Sequence, residues 1–185
     1  MKTRIVGIFG ALALLLSTGS VFAFDQRPIR YNGTFGCSFV NNAGLGFGTG
    51  SGNVTDTTCT GQDTFGLNNN QTIGADVSPS TETCTAPDGT PGTLNVLFYA
   101  TFVNTYNFSG DQLWTTSVTG SQCISQTTGS LGGSRQYTII GGSGFFTNAT
   151  GTINVTYTGS YLGLPAGSTG YFGHVTGTSS GTVTP

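Results

Sequence analysis

The sequence predicts an all-β fold, built as a barrel or as a sandwich. Apolar and polar residues alternate with a period of two in several short stretches, as in strands that bury one face. Gly, Pro, Asn and Asp separate these stretches, and the abundant Thr, Ser, Asn and Gly are poor helix formers. Only 6% of the residues are charged. A closed barrel is therefore favoured, because a sandwich would leave sheet edges that need charges to protect them.

The clearest strand covers residues 152–162, in which apolar residues alternate with hydroxyl-bearing ones. We expect four of its side chains to face the interior: Ile153, Val155, Tyr157 and Tyr161. Residues 94–103 form a second strong strand with Leu94, Ala100 and Phe102 on one face and a mostly apolar opposite face. Weaker strands are predicted at 31–40, 44–50, 54–60, 112–119, 135–140 and 171–178, and a long loop at 62–82.

The first 23 residues have the order of a cleavable secretory signal. A cationic start is followed by an apolar run at 5–16 and by small residues that end at Ala23. The run is too short for a membrane span, which needs roughly 20 apolar residues. We therefore expect a signal peptide at 1–23, a single β-domain at 24–185, and a secreted, periplasmic or extracellular protein with no membrane span after cleavage.

The charge of the mature chain excludes several partners. Beyond the signal the chain keeps three arginines, no lysine and seven acidic residues, a net charge of −4. Two of the arginines, Arg27 and Arg30, lie at the mature N-terminus. With no basic face, we expect no nucleic-acid partner, and without lysine the mature chain forms no Schiff base.

Four cysteines in an exported chain predict two disulfides, for which three pairings are possible. We favour Cys37–Cys59 and Cys84–Cys123, because these pairs close local loops between neighbouring strands. A zinc site is disfavoured, because the cysteines form no C-x-x-C pair and the single histidine, His174, is distant in sequence.

A glycine-rich segment at 140–151 resembles the "GGTGxFxxAxG" element of dirigent proteins and allene oxide cyclases. The match is carried by Gly141, Gly142, Gly144, Phe146, Ala149 and Gly151, with Ser143 in place of the usual threonine. The segment 109–113 is similar to the "G-D-x-L" strand start of bacterial secreted relatives. The turn at 84–92 and Cys123 also resemble those relatives, which supports the Cys84–Cys123 pair.

The resemblance covers roughly residues 84–183 and implies an eight-stranded antiparallel barrel with a lumen. Relatives in this family act through a shaped pocket, so an activity on a hydrophobic ligand is implied only weakly. No polar site residue of the family can be aligned here. Four glycines are assigned a structural role, at positions that need a positive φ or close packing: Gly141, Gly142, Gly144 and Gly151.

No catalytic constellation is recognisable, so we predict no catalytic residue, no metal and no cofactor. The chain lacks a G-x-S-x-G elbow. A Ser-His-Asp triad would have to use His174, which we expect to be a surface or rim residue. The acids Asp56, Asp63 and Glu82 are spaced irregularly, and turn or surface roles are favoured for them.

Four residues are candidates for lining a ligand cavity: Tyr99, Arg135, Tyr137 and Tyr157. If the face of Arg135 and Tyr137 points into the lumen, Arg135 would anchor a carboxylate or a phenol. The outward orientation, as a solubilising charge, is favoured. For the aromatic residues, simple filling of the core is favoured over lining a cavity, because an eight-stranded barrel is just wide enough to be packed with side chains.

Two functions follow from these expectations. The first is an exported, non-catalytic protein of the cell surface or extracellular matrix with a structural or binding role. The alternative is a barrel that binds a hydrophobic small molecule in its lumen, with or without a cofactor-free, cyclase-like or isomerase-like activity. A lumen of roughly 300 Å³ or more with convergent polar groups favours the alternative, and a filled interior favours the first. A surface or matrix partner and a homo-oligomer are compatible with both.

Overall fold

The computed structural model describes residues 27–42, 53–163 and 170–185, which form a closed antiparallel barrel of eight strands. The strands follow the chain order: β1 (Ile29–Asn42), β2 (Asn53–Asp63), β3 (Gly66–Thr85), β4 (Pro91–Tyr106), β5 (Gln112–Ile124), β6 (Ser130–Gly142), β7 (Thr150–Gly163) and β8 (Gly170–Thr184). β8 pairs with β1 and closes the barrel. A 3-10 turn at Gly144–Phe146 links β6 to β7. Within these ranges, no helix has the length and apolar character that crossing a membrane requires.

The predicted barrel is confirmed, and seven predicted strands lie within β1, β2 and β4–β8. The predicted strand at 44–50 lies outside the described residues. The predicted loop at 62–82 is wrong, because β3 runs through most of it as a strand of 20 residues. Its Asn-rich sequence disfavours a strand by propensity, but pairing with both β2 and β4 overrides that preference.

The inward and outward faces of β7 are as predicted. Ile153 is buried, Val155, Tyr157 and Tyr161 are partly buried, and the intervening Asn154, Thr156 and Thr158 are exposed. The prediction of one continuous face along β4 is wrong. Asn95 is buried and Val96 exposed, whereas Ala100 is fully buried, so the alternation changes phase between these positions. The pairing of β3 with β4 is irregular in the same region, as expected where β-bulges interrupt a ladder.

Large side chains meet inside the barrel opposite three glycines of β8. Each glycine lies between a large residue of β1 and one of β7: Gly173 between Phe39 and Tyr161, Gly177 between Phe35 and Tyr157, and Gly181 between Tyr31 and Ile153. A Cβ atom at Gly177 would lie 2.5 Å from Phe35 Cζ and 3.0 Å from Tyr157 Cβ. The glycines therefore provide the space that the neighbouring rings occupy.

Both predicted disulfides are confirmed. Cys37 and Cys59 are direct partners on β1 and β2, and their side chains lie in the barrel interior. Cys84 and Cys123 instead join β3 to β5 across the start of β4, with Cα atoms 5.9 Å apart. Gly92 of β4 lies between them, and a Cβ atom there would lie 2.9 Å from Cys123 Sγ. The second bridge therefore skips a strand, unlike the local bridge that we expected.

The space around two glycines predicts that their alanine substitutions change the free energy of unfolding by different amounts. Gly177→Ala should lower the free energy of unfolding by about 1–3 kcal/mol, because the added methyl group overlaps Phe35 and the Thr156 carbonyl. Gly36→Ala is the matched control, since nothing lies within 4 Å of a Cβ atom there. Urea unfolding of both variants measures the difference. Equal stability of the two would show that the rings can move aside without cost.

Candidate functional site

The barrel interior contains a cavity of about 150 Å³ that is partly open to solvent. It lies between two clusters of buried side chains, one that includes Leu113 and Phe146 and one that includes Ile124 and Leu131. Phe65, from the turn between β2 and β3, packs on Phe146 with ring centroids 5.1 Å apart and helps to close the first end. The interior is thus neither filled nor as wide as a typical ligand pocket. Its volume is that of apolar cavities known to admit benzene.

Arg135 points into the interior, so the favoured outward orientation is wrong. Its side chain is only 7% exposed, and Tyr137 and Ile139 on the same face of β6 are also buried. The two-residue period fixes its direction once its neighbours face inward. Gly120 is its partner on β5, where a Cβ atom would lie 3.1 Å from Arg135 Cγ. A glycine at this position therefore leaves room for the arginine stem.

The guanidinium of Arg135 has few partners for a buried charge. Its Nη1 donates to Tyr137 Oη over 3.4 Å, a long hydrogen bond, and its Cζ lies 5.9 Å from the centroid of the Tyr137 ring. Among the residues that the structure describes, none places a carboxylate in ion-pair contact with it. A guanidinium has five N–H donors. The remaining donors of Arg135 are not among the described buried atoms that lack a partner, so they face the cavity. The cavity is therefore electropositive around Arg135.

Tyr137 and Tyr157, two of the candidate residues, also lie along the cavity. Burial raises the pKa of Tyr137 to about 12, and the neighbouring charge of Arg135 partly opposes this rise. The hydroxyl of Tyr157 donates to Gln122 Oε1 over 3.1 Å. Tyr99 is not part of this lining, because it is half exposed and lies beside Thr101 on the outer surface.

Asp63 is the second charged residue of the cavity lining, and its carboxylate is fully engaged. Tyr31 Oη, Tyr106 Oη and Asn68 Nδ2 donate to its Oδ2 over 3.0, 2.9 and 2.8 Å, and the backbone N–H of Phe65 donates to Oδ1 over 2.7 Å. Burial raises the pKa of Asp63, against the effect of these hydrogen bonds. The carboxylate therefore ties β1, β3 and β4 together at one end of the barrel.

Sequence analysis missed most polar residues of the cavity lining. They include Asp63, Asn68, Asn104, Gln122 and Ser179. Asp63 and Asn68 fell in the segment interpreted as a loop, and Gln122 lies beyond the end predicted for its strand. The G-x-x-x-G-x-x-x-G spacing at 173–181 could have identified the inward face of β8. Val175 and Ser179 lie two residues from these glycines, on the same face, and both are buried.

The glycine-rich element occupies the turn from β6 to β7. Three of its glycines have positive φ values: +121° at Gly141, +58° at Gly144 and +133° at Gly151. A Cβ atom at Gly142 would lie 2.0 Å from the Gln112 carbonyl oxygen. At Gly144 it would overlap Asp111, so both strain and space exclude a larger residue there.

Other candidate chemistry is absent from the part of the chain that the structure describes. His174 is exposed on the outer face of β8. Among the described residues, no group of three or more His, Cys, Asp or Glu side chains is placed to hold a metal ion. The cavity with Arg135, Tyr137 and Tyr157 is therefore the candidate functional site.

These features define a disulfide-bonded, eight-stranded antiparallel barrel with a narrow lumen that holds a buried arginine. Comparisons of the chain with protein family models, with curated proteins and with solved structures find no match. The resemblance to dirigent proteins and allene oxide cyclases stays a prediction.

The buried tyrosines predict a loss of stability at alkaline pH. Unfolded tyrosine ionises near pH 10, whereas burial raises the pKa of Tyr137 to about 12 and also raises those of Tyr31 and Tyr106. The neutral form of Tyr137 contributes stability fully below pH 10, and this contribution is lost as the pH rises through 12. Tyr31 and Tyr106 add to the loss in the same direction. For Tyr137 alone the loss at pH 11 is about 1 kcal/mol.

Urea midpoints at pH 8 and pH 11 measure this effect. Tyr137→Phe should lose less stability between the two values than the wild type does, because phenylalanine does not ionise. An identical loss in the two proteins would contradict the assignment of Tyr137.

Proposed function

We propose that this chain is an exported, non-catalytic barrel of the cell surface or extracellular matrix, and that its lumen binds a small molecule with an apolar body and an acidic head. The two disulfides support export to an oxidising compartment, where such bonds persist. The proposed secretory signal lies outside the described residues.

The observation that carries the proposal is the buried guanidinium of Arg135. An uncompensated charge in a protein interior costs several kcal/mol, and an anion in contact with it recovers part of that cost. A carboxylate suits this position, because its two oxygens accept the paired donors of a guanidinium. The surrounding side chains, which include Phe102, Ile153 and Val155, suit an apolar body no larger than one aromatic ring.

A cyclase-like or isomerase-like activity has less support. It needs a group in the cavity that is free to exchange a proton with the ligand. Asp63 is the acidic candidate, but four donors already occupy its oxygens. Binding without chemistry therefore accounts for the cavity with fewer requirements.

Benzoate is the probe that tests the lumen site, with benzyl alcohol as its uncharged counterpart. Benzoate at 100 times its dissociation constant should stabilise the protein by about 2.7 kcal/mol, which raises Tm by about 5–10 °C. Benzyl alcohol should give a smaller shift, because it fills the same space without meeting the charge of Arg135. Differential scanning calorimetry measures both shifts.

Arg135→Met should abolish the benzoate shift and should leave the free protein at least as stable, because it removes an unpaired buried charge. Arg30→Gln is the matched control, since it removes a charge from an exposed position. Equal benzoate shifts in wild type and Arg135→Met would refute the site. If Arg135→Met fails to fold, Arg135→Gln provides the same comparison.

A further inference from the structure

A broad groove of about 740 Å³ crosses the outer face of the barrel over β2 to β6. Three apolar side chains on neighbouring strands line it, namely Val103 on β4, Trp114 on β5 and Ile140 on β6. Val103 is the direct partner of Trp114. Trp114 is 38% exposed and Ile140 is 55% exposed. Exposed apolar side chains that lie together on neighbouring strands form a candidate binding surface.

A β-bulge brings Ile140 next to Trp114. Trp114 pairs with Gly141, but the following residue, Thr115, pairs with Ile139, so two residues of β6 oppose one of β5. Gly141 has a φ of +121°, which the bulge requires and glycine permits. The backbone of the glycine-rich element therefore places Ile140 in the exposed apolar cluster.

Uncharged polar side chains surround the apolar cluster. They are Thr58, Asn69, Gln71, Thr101, Thr105 and Gln112. No charged side chain is present among the described residues that line the groove. The indole Nε1 of Trp114 donates to Gln112 Oε1 over 3.1 Å, which holds one edge of the ring system. The groove thus combines an exposed aromatic ring with amide and hydroxyl groups and has no charge.

We propose that this groove binds a neutral polysaccharide, with one sugar ring stacked on the indole of Trp114. A sugar ring presents an apolar C–H face and a rim of hydroxyls that donate and accept. The face matches an exposed aromatic ring, and the rim matches amides such as those of Asn69 and Gln71, which can do both. An anionic polymer would need cationic contacts, which this lining does not offer. The inference is independent of the lumen site, which lies on the opposite side of the sheet.

Fluorescence tests the inference directly, because Trp114 is the only tryptophan of the chain. Cellohexaose, laminarihexaose and chitohexaose are suitable neutral probes. At least one of them should shift the Trp114 emission to shorter wavelength in a saturable way. Gln71→Ala should weaken that binding by about tenfold, whereas Leu162→Ala, an exposed apolar residue on β7, should leave it unchanged.

Retention in affinity gels that contain the corresponding polysaccharide extends the test to Trp114 itself. Trp114→Ala should migrate as in a gel without polysaccharide, and Trp114→Phe should recover part of the retention. Arg135→Met should be retained like the wild type, so a failure of the lumen proposal leaves this result intact.

Two outcomes would overturn the inference. One is the absence of any emission change with all three hexasaccharides together with unretarded migration of the wild type. The other is a dimer in sedimentation velocity that Trp114→Ala converts to monomer, which would make the groove a contact between two copies of the chain.

Discussion

An eight-stranded barrel has an interior just wide enough for its side chains, and this width constrains the rest of the structure. Large side chains of β1 and β7 lie on either side of β8 inside the barrel. They fit because β8 carries glycine between them, at Gly173, Gly177 and Gly181. Where the interior holds more polar residues, between the two clusters of buried side chains, a cavity of about 150 Å³ remains. The candidate site is therefore the space that imperfect filling leaves at the middle of the barrel.

The two charged residues of the cavity lining, Asp63 and Arg135, differ in how many hydrogen bonds their charged groups form. Asp63 accepts four hydrogen bonds and joins three strands, so its carboxylate stabilises the fold. Arg135 has one long hydrogen bond and the face of Tyr137. A well-packed apolar residue of similar volume is often as stable as a buried charged group or more stable, so the fold itself does not require an arginine at this position. This contrast makes Arg135, and not Asp63, the centre of the proposed binding site.

The sequence predicted those parts of the fold in which side-chain alternation is uninterrupted. β7 is such a strand, and its inward and outward faces follow from its period alone. β3 could not be predicted, because its asparagines have a low strand propensity and its bulges interrupt the two-residue period. Tyr99 was misplaced for a related reason, since the phase of β4 changes before it. Arg135 was misoriented because a preference of charge for solvent was weighed above the strand period, which is the stronger constraint within a closed sheet.

The closing pair of strands also has a consequence for how the chain folds. β1 and β8 pair along their full length, from Ile29 opposite Val183 to Asn42 opposite Gly170. These contacts join the most distant segments of the described chain. The chain must lose the entropy of closing that long loop before the β1–β8 contacts can stabilise the barrel. We therefore expect a slow, high-contact-order folding reaction in which β2 to β7 can form an open sheet while the barrel remains incomplete. Until β8 arrives, both β1 and β7 present unpaired edges, so the vulnerable state of this protein is an open sheet with few charges to keep it from aggregating.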